Sequence, residues 1–173
     1  GDAVLAAQAA GADLAYIGSA FIATLEANAQ DAYKQMIVDS NADDIIYSNL
    51  FTGVHGNYLR ESIVKSGLDP EALPTSDATA MNFGSTRVKP WKDIWGAGQG
   101  VGAIKRVVPA AELVRRFVEE YALARRRLGL APAEAPEVVV AVVLEHGGGA
   151  REVSGNGLAA PIARAVMLAV LGK

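Results

Sequence analysis

The sequence predicts a helix-rich α/β fold in which short apolar strands alternate with helices. An alanine-rich helical pattern at residues 2–10 is followed directly by an apolar run of strand length at residues 12–17. Residues 109–128 have the apolar spacing of a long amphipathic helix, and residues 137–145 form a second apolar run of strand length. A helix-to-strand step at the start and another strand near the end are typical of β/α units.

The first helix and strand predict a ligand-binding site, here called the phosphate seat, at the end of the strand. Asp2 can cap the first helix and Gly11 can end it. The predicted buried strand at 12–17 then stops on Gly18-Ser19. A glycine lets a ligand approach the main chain, the next N–H groups point outward, and a serine hydroxyl adds a donor, which together suit a phosphate. An ordinary turn is the alternative interpretation.

The middle of the chain predicts a mixture of short elements. Apolar residues recur at helical spacing over residues 26–37, and residues 43–50 have the β-branched and aromatic content of a strand. Residues 56–66 suit a short helix that ends at Gly67. Proline, serine and threonine make residues 68–90 an irregular stretch, which we expect to wrap a surface rather than build core.

The long helix at 109–128 is the clearest secondary-structure prediction. Its apolar stripe comprises Leu113, Val114, Phe117, Val118 and Tyr121. The arginines at 125–127 suit the negative end of the helix dipole. They could also contact nucleic acid, but a solvated helix end is the favoured interpretation.

Composition narrows the functional classes. The 173 residues carry a net charge of −3, so overall electrostatics do not favour binding to nucleic acid or to an anionic membrane. The sequence has no cysteine, which excludes disulfides and thiolate metal sites. The longest apolar runs are far shorter than the roughly 20 residues of a membrane span. No spacing of His55 or His146 with carboxylates suggests a metal site. We therefore expect a cytoplasmic protein.

Residues 1–127 resemble the C-terminal part of the nitronate monooxygenase (2-nitropropane dioxygenase) family, FMN enzymes built on a TIM barrel. Four blocks in the family's order carry the resemblance: Gly11-Ala-Asp-Leu-Ala-Tyr-Ile-Gly-Ser19, Asp31-Ala-Tyr-Lys-Gln35, Asn49-Leu-Phe-Thr-Gly-Val-His-Gly-Asn-Tyr58 and Trp91-Lys-Asp-Ile-Trp-Gly-Ala-Gly-Gln-Gly-Val-Gly102. A whole TIM barrel needs about 250 residues. The resemblance therefore implies a C-terminal barrel fragment, and a start at Gly1-Asp2 rather than Met suggests a cut end.

The resemblance also implies a site and a reaction. Tyr16, Ile17, Gly18 and Ser19 would hold the FMN phosphate, and the reaction would be oxidation of an alkyl nitronate by oxygen to a carbonyl compound and nitrite. Gln99 would lie on the substrate side of the flavin, although residues 95–102 could equally be a flexible glycine connection. That segment matches neither a dinucleotide fingerprint nor a P-loop.

No catalytic residue is assigned from the sequence. The family's catalytic histidine belongs to a strand upstream of the residues present, and so does the glycine pair that completes its phosphate site. His55 falls in a different family block and is predicted to be a loop or packing residue. Independent catalysis by this chain is therefore not expected.

The end of the chain differs from the rest. We expect a barrel fragment at 1–128, a stiff Pro/Ala linker at 129–136 and a strand-helix tail at 137–173. The tail is similar to the extreme C-terminus of penicillin-binding transpeptidases, through the strand at 137–145 and the run Ala159-Ala-Pro-Ile-Ala-Arg164.

Partial transpeptidase signatures occur at Ser62-Ile-Val-Lys65 and Ser154-Gly-Asn156, but Lys-Thr-Gly is absent and the order is wrong. Chance explains such short matches better than a nucleophile does. A transpeptidase remnant stays open as an alternative. So does a non-catalytic protein built from fused remnants, which self-associates through the helix at 109–128.

Overall fold

The computed structural model describes residues 1–75 and 93–131, which fall into two compact units. The described part of the first unit is residues 1–28 and 108–131, and that of the second is residues 29–75 and 93–107. The elements are α1 (Asp2–Ala9), α2 (Ser19–Ile22), α3 (Asp31–Asp39), β1 (Ile45–Ser48), β2 (Gly56–Leu59), α4 (Arg60–Lys65), α5 (Ala110–Arg127) and the 3-10 helices Ala42–Asp44 and Gln99–Ala103. This mixture of helices with a two-stranded sheet is compatible with a fragment of an α/β domain.

Helix α1 begins and ends through its backbone. Gly1 occupies the N-cap position and Asp2 is the first helical residue, so the prediction that Asp2 caps the helix is wrong. The predicted end at Gly11 is confirmed by a φ of 95°. The Gly11 N–H donates to the Gln8 main-chain carbonyl at 2.9 Å, and the Ala12 N–H donates to the Ala7 carbonyl at 3.0 Å. These are the paired hydrogen bonds of a Schellman turn.

The predicted buried strand at residues 12–17 is wrong. These residues form no strand, and Leu14 and Tyr16 are 72% and 76% exposed. A strand exists through main-chain hydrogen bonds to a neighbour, and no described residue forms a ladder with this segment. Apolar content alone therefore did not bury it.

Helix α5 confirms the prediction for residues 109–128. It runs for 18 residues, and Leu128 and Gly129 end it, the latter at a φ of 68°. The predicted stripe is correct at Leu113 and Val114, which are buried, whereas Val118 is 40% exposed. The small residues Ala110 and Ala124 complete the buried face instead.

In the second unit, α3 is shorter than predicted. It begins at Asp31 after Gln30, so residues 26–30 lie outside the helix that the spacing indicated. Met36 and Ile37 are buried on one face, as an amphipathic helix requires. Ala29 fits the helical spacing in the sequence but precedes the first residue of the helix.

The sheet is an antiparallel hairpin of β1 and β2, in which Ile45 lies opposite Leu59 and Ser48 lies opposite Gly56. The strand predicted at 43–50 is thus confirmed over its centre. Its start is a 3-10 turn closed by a capping box, in which the Asn41 side chain accepts from the Asp43 N–H and the Asp44 carboxylate accepts from the Asn41 N–H.

The helix predicted at 56–66 is only half correct. Its first part is strand β2 and its second part is α4, which ends at Gly67 with a φ of 80°. Residues 56–59 are strand because they pair with β1, a partner that the local sequence does not reveal.

A small core lies beside this hairpin. Phe51, Ile63 and Ile94 form the buried cluster, with Ile46, Leu50, Tyr58, Leu68 and Leu73 packed against it. Leu68 and Leu73 come from the stretch predicted to build no core, so that prediction is wrong for its described part. Residues 76–90 of that stretch, residues 132–136 of the predicted linker and the predicted tail at 137–173 lie outside the described residues.

Candidate cofactor site

The predicted phosphate seat, residues 16–19, lies where an irregular segment leads into α2. Gly18 is the N-cap residue of α2, with φ −103° and ψ −65°, and Ser19 is the first helical residue. Tyr16 is largely exposed, while Ile17 and Ser19 are half-buried. The four residues are consecutive and follow the Schellman turn at Gly11, so local backbone geometry brings them together.

The chain after the seat is anchored to the start of α5. Thr24 is fully buried, and its hydroxyl donates to the Phe21 carbonyl at 2.8 Å. Thr24 also forms a parallel bridge with Val108, and the Leu25 N–H donates to the Val108 carbonyl at 3.0 Å. Phe21 meets Phe117 edge to face, with ring centroids 6.3 Å apart. These contacts fix the position of α2 within the first unit.

The backbone at Gly18 has the open approach that a phosphate needs. A Cβ built on Gly18 would meet no heavy atom within 4 Å, so a ligand oxygen can approach the main chain there. The adjoining Ser19 carries the hydroxyl donor. An open main chain beside a hydroxyl donor fits a phosphate group, which is the part of FMN that the family resemblance assigns to these residues.

Gln99 belongs to the second unit, where it is exposed at the first position of the 3-10 helix Gln99–Ala103. The segment before it is held against β2. The Leu59 N–H donates to the Trp95 carbonyl at 2.8 Å, and the Ala97 N–H donates to the Asn57 carbonyl at 3.2 Å. Residues 95–97 are thus hydrogen-bonded alongside strand β2 of the hairpin.

The Ser62-x-x-Lys65 match has no nucleophile geometry. Ser62 is 1% exposed, and its hydroxyl donates to the Leu59 carbonyl at 2.7 Å and accepts from the Trp95 N–H at 3.0 Å. The Lys65 ammonium pairs with Glu61 at 2.7 Å. Because the hydroxyl proton is committed to a carbonyl and the lysine to a carboxylate, nothing here activates Ser62.

His55 confirms its predicted role as a loop residue. It is exposed at the end of the β1–β2 loop, and its ring stacks on Tyr47 with centroids 4.8 Å apart and an interplanar angle of 20°. An open groove of about 200 Å³ lies beside it, lined by Ile46, Tyr47, Ser48, Asn49, His55, Pro70, Glu71, Leu73, Pro74 and Thr75. At its edge, a hydrogen bond from Arg60 to Glu71 raises the pKa of the guanidinium.

Two negative findings concern the described residues alone. Within 1–75 and 93–131, no group of His, Cys, Asp or Glu side chains is arranged to hold a metal ion. Among the helices in those ranges, none has the length and apolar character needed to cross a bilayer.

A family model described as nitronate monooxygenase matches residues 1–120. The chain belongs to the nitronate monooxygenase family. The match includes residues 16–19, Gln99 and residues 110–120 of α5. No curated protein and no solved structure matches this nitronate monooxygenase homologue. The transpeptidase resemblance at 137–173 lies beyond the matched residues and stays a prediction.

Sequence reasoning missed the contacts that organise the second unit. From the sequence, Ser62 was considered only as a nucleophile candidate, and Tyr33 only as part of a predicted helix and of a family block. In the structure, both bond to the Trp95-Gly96 backbone of this nitronate monooxygenase homologue. Ser62 and Trp95 are 33 residues apart in the sequence, and Tyr33 and Gly96 are 63 residues apart. No local sequence pattern therefore indicates these contacts.

Proposed function

We propose that this chain functions as the FMN-binding part of a nitronate monooxygenase. Tyr16, Ile17, Gly18 and Ser19 would hold the flavin phosphate. The observation that carries the proposal is the family match across these residues together with the open main chain at Gly18. Phosphate oxygens would accept from the N–H groups at 18 and 19 and from the Ser19 hydroxyl. Bound FMN would supply the redox chemistry that turns an alkyl nitronate and oxygen into a carbonyl compound and nitrite.

The chain's own part in this reaction is to bind and orient. Ser19 and the Gly18 backbone would fix one end of the cofactor. A substrate-side role for Gln99 rests on the family resemblance of residues 91–102 alone. Within residues 1–75 and 93–131 we assign no base, since His55 is exposed and stacked on Tyr47 rather than directed into a closed site. We therefore propose that the chain binds flavin but does not turn over nitronates alone.

A visible absorption spectrum after incubation with FMN and removal of the excess tests the binding proposal. The wild-type chain is expected to retain a flavin spectrum. In Gly18→Asp a carboxylate would occupy the phosphate approach, and repulsion between the anions is expected to abolish retention. Absence of a retained flavin spectrum in the wild type would contradict the proposal.

Gly100→Asp is the matched control. Its Cβ would also meet no heavy atom within 4 Å, its φ is not in the left-handed range, and it adds the same charge to the other unit. Flavin retention is expected to survive in Gly100→Asp. Equal loss in both variants would show a general charge effect rather than a phosphate seat at Gly18.

A further inference from the structure

The segment that carries Gln99 is fixed by two side chains from different helices. The Ser62 hydroxyl, on α4, accepts a hydrogen bond from the Trp95 N–H at 3.0 Å. The Tyr33 hydroxyl, on α3, donates a hydrogen bond to the Gly96 carbonyl. The Tyr33 ring also stacks on Trp95, with centroids 5.0 Å apart and an interplanar angle of 18°. The 94–95 and 96–97 peptide units are thus each hydrogen-bonded to a side chain.

Ser62 links this segment to the hairpin through one buried oxygen. Its hydroxyl donates to the carbonyl of Leu59, the last residue of β2, and accepts from Trp95. Leu59 returns a hydrogen bond from its own N–H to the Trp95 carbonyl. The three residues form a closed hydrogen-bonded circuit, so a shift of Trp95 would break bonds to both Ser62 and Leu59.

We infer that Ser62 and Tyr33 are positioning residues that hold residues 95–97 on β2 and so fix where Gln99 is presented. This inference rests on the proposed function in taking Gln99 as a substrate-side residue. Gly98, the N-cap of the 3-10 helix, separates the held segment from Gln99, and Val101 is fully buried two residues beyond it. Gln99 therefore lies between two fixed points of the backbone.

Amide hydrogen exchange by NMR on the full chain tests this role. In Ser62→Ala the Trp95 N–H loses its acceptor, because the alanine methyl group cannot accept a hydrogen bond. Exchange of the Trp95 amide is therefore expected to accelerate about tenfold or more. Hairpin amides between β1 and β2 should keep their wild-type rates. Ser62→Thr keeps a hydroxyl and is expected to restore slow exchange at Trp95.

Tyr33→Phe provides a second variant that removes only a hydroxyl from a half-buried ring. It should accelerate exchange at Ala97, because the Gly96 carbonyl beside that amide loses its donor. Ser40→Ala is the control, since it removes a buried hydroxyl that donates to the Met36 carbonyl at 2.6 Å rather than to residues 95–97. Exchange at Trp95 should be unchanged in it.

The inference is overturned by a wild-type exchange rate at Trp95 in Ser62→Ala. Uniform acceleration of all amides would also overturn it, by showing that Ser62 stabilises the whole fold without a specific effect on the segment. Neither FMN nor a nitronate is needed for these measurements. A failure of flavin binding would therefore remove the proposed function without altering the exchange result.

Discussion

The carboxylate of Glu26 accepts a hydrogen bond from the Ala110 N–H at 2.8 Å, across a sequence separation of 84 residues. Ala110 opens α5, and its N-cap residue, Pro109, has no side chain that can accept from the free N–H groups of the first turn. Glu26 therefore supplies the missing cap from the loop that follows α2. The sequence had placed Glu26 inside a helix, where it would have had no such role.

Removing this cap should destabilise the first unit. Glu26→Ala is expected to lower the free energy of unfolding by about 1 kcal/mol, the usual worth of a helix cap. Urea denaturation followed by circular dichroism measures the change. Glu119→Ala, on the exposed side of α5, is the control and should stay within about 0.5 kcal/mol of the wild type. Equal losses in the two variants would argue against capping by Glu26.

Gly11 should tolerate substitution poorly, although nothing crowds it. Its φ of 95° is unfavourable for any residue with a Cβ, so Gly11→Ala is expected to cost about 1 kcal/mol in thermal or urea unfolding. Gly100→Ala adds the same methyl group to open space without a left-handed φ and is expected to be nearly neutral. A neutral Gly11→Ala would mean that the Schellman turn does not define the end of α1.

Ser62 should not react with β-lactams. Its hydroxyl is buried and committed to Leu59 and Trp95, so incubation with benzylpenicillin is expected to leave the intact mass unchanged. An adduct that disappears in Ser62→Ala would contradict this assignment. It would also revive the transpeptidase alternative for this chain.

The fold was predictable where one element carries its own signal. Helix α5 is long and strongly amphipathic, so the spacing located it to within a residue at each end. The apolar run at 12–17 and the polar-aromatic run at 56–59 were assigned wrongly for opposite reasons. The first has strand composition without a described partner, and the second is a strand because β1 lies beside it.

The candidate site was predictable only through its local motif. Gly18-Ser19 has a recognisable pattern and a family resemblance, and its backbone is open as a phosphate site requires. Long-range contacts such as Ser62 to Trp95 and Glu26 to Ala110 depend on the folded chain. No periodicity or spacing in the sequence indicates which donor such a side chain will meet.

The central claim is that Gly18 and Ser19 bind the phosphate of FMN. Calorimetric titration of the chain with FMN and with riboflavin, which lacks the phosphate, tests this claim most directly. Hydrogen bonds to a charged group contribute about 1.5 to 3 kcal/mol, so FMN is expected to bind at least about tenfold more tightly than riboflavin. That preference should disappear in Gly18→Asp. Equal affinity of the wild-type chain for the two flavins, or no binding of either, would contradict the claim.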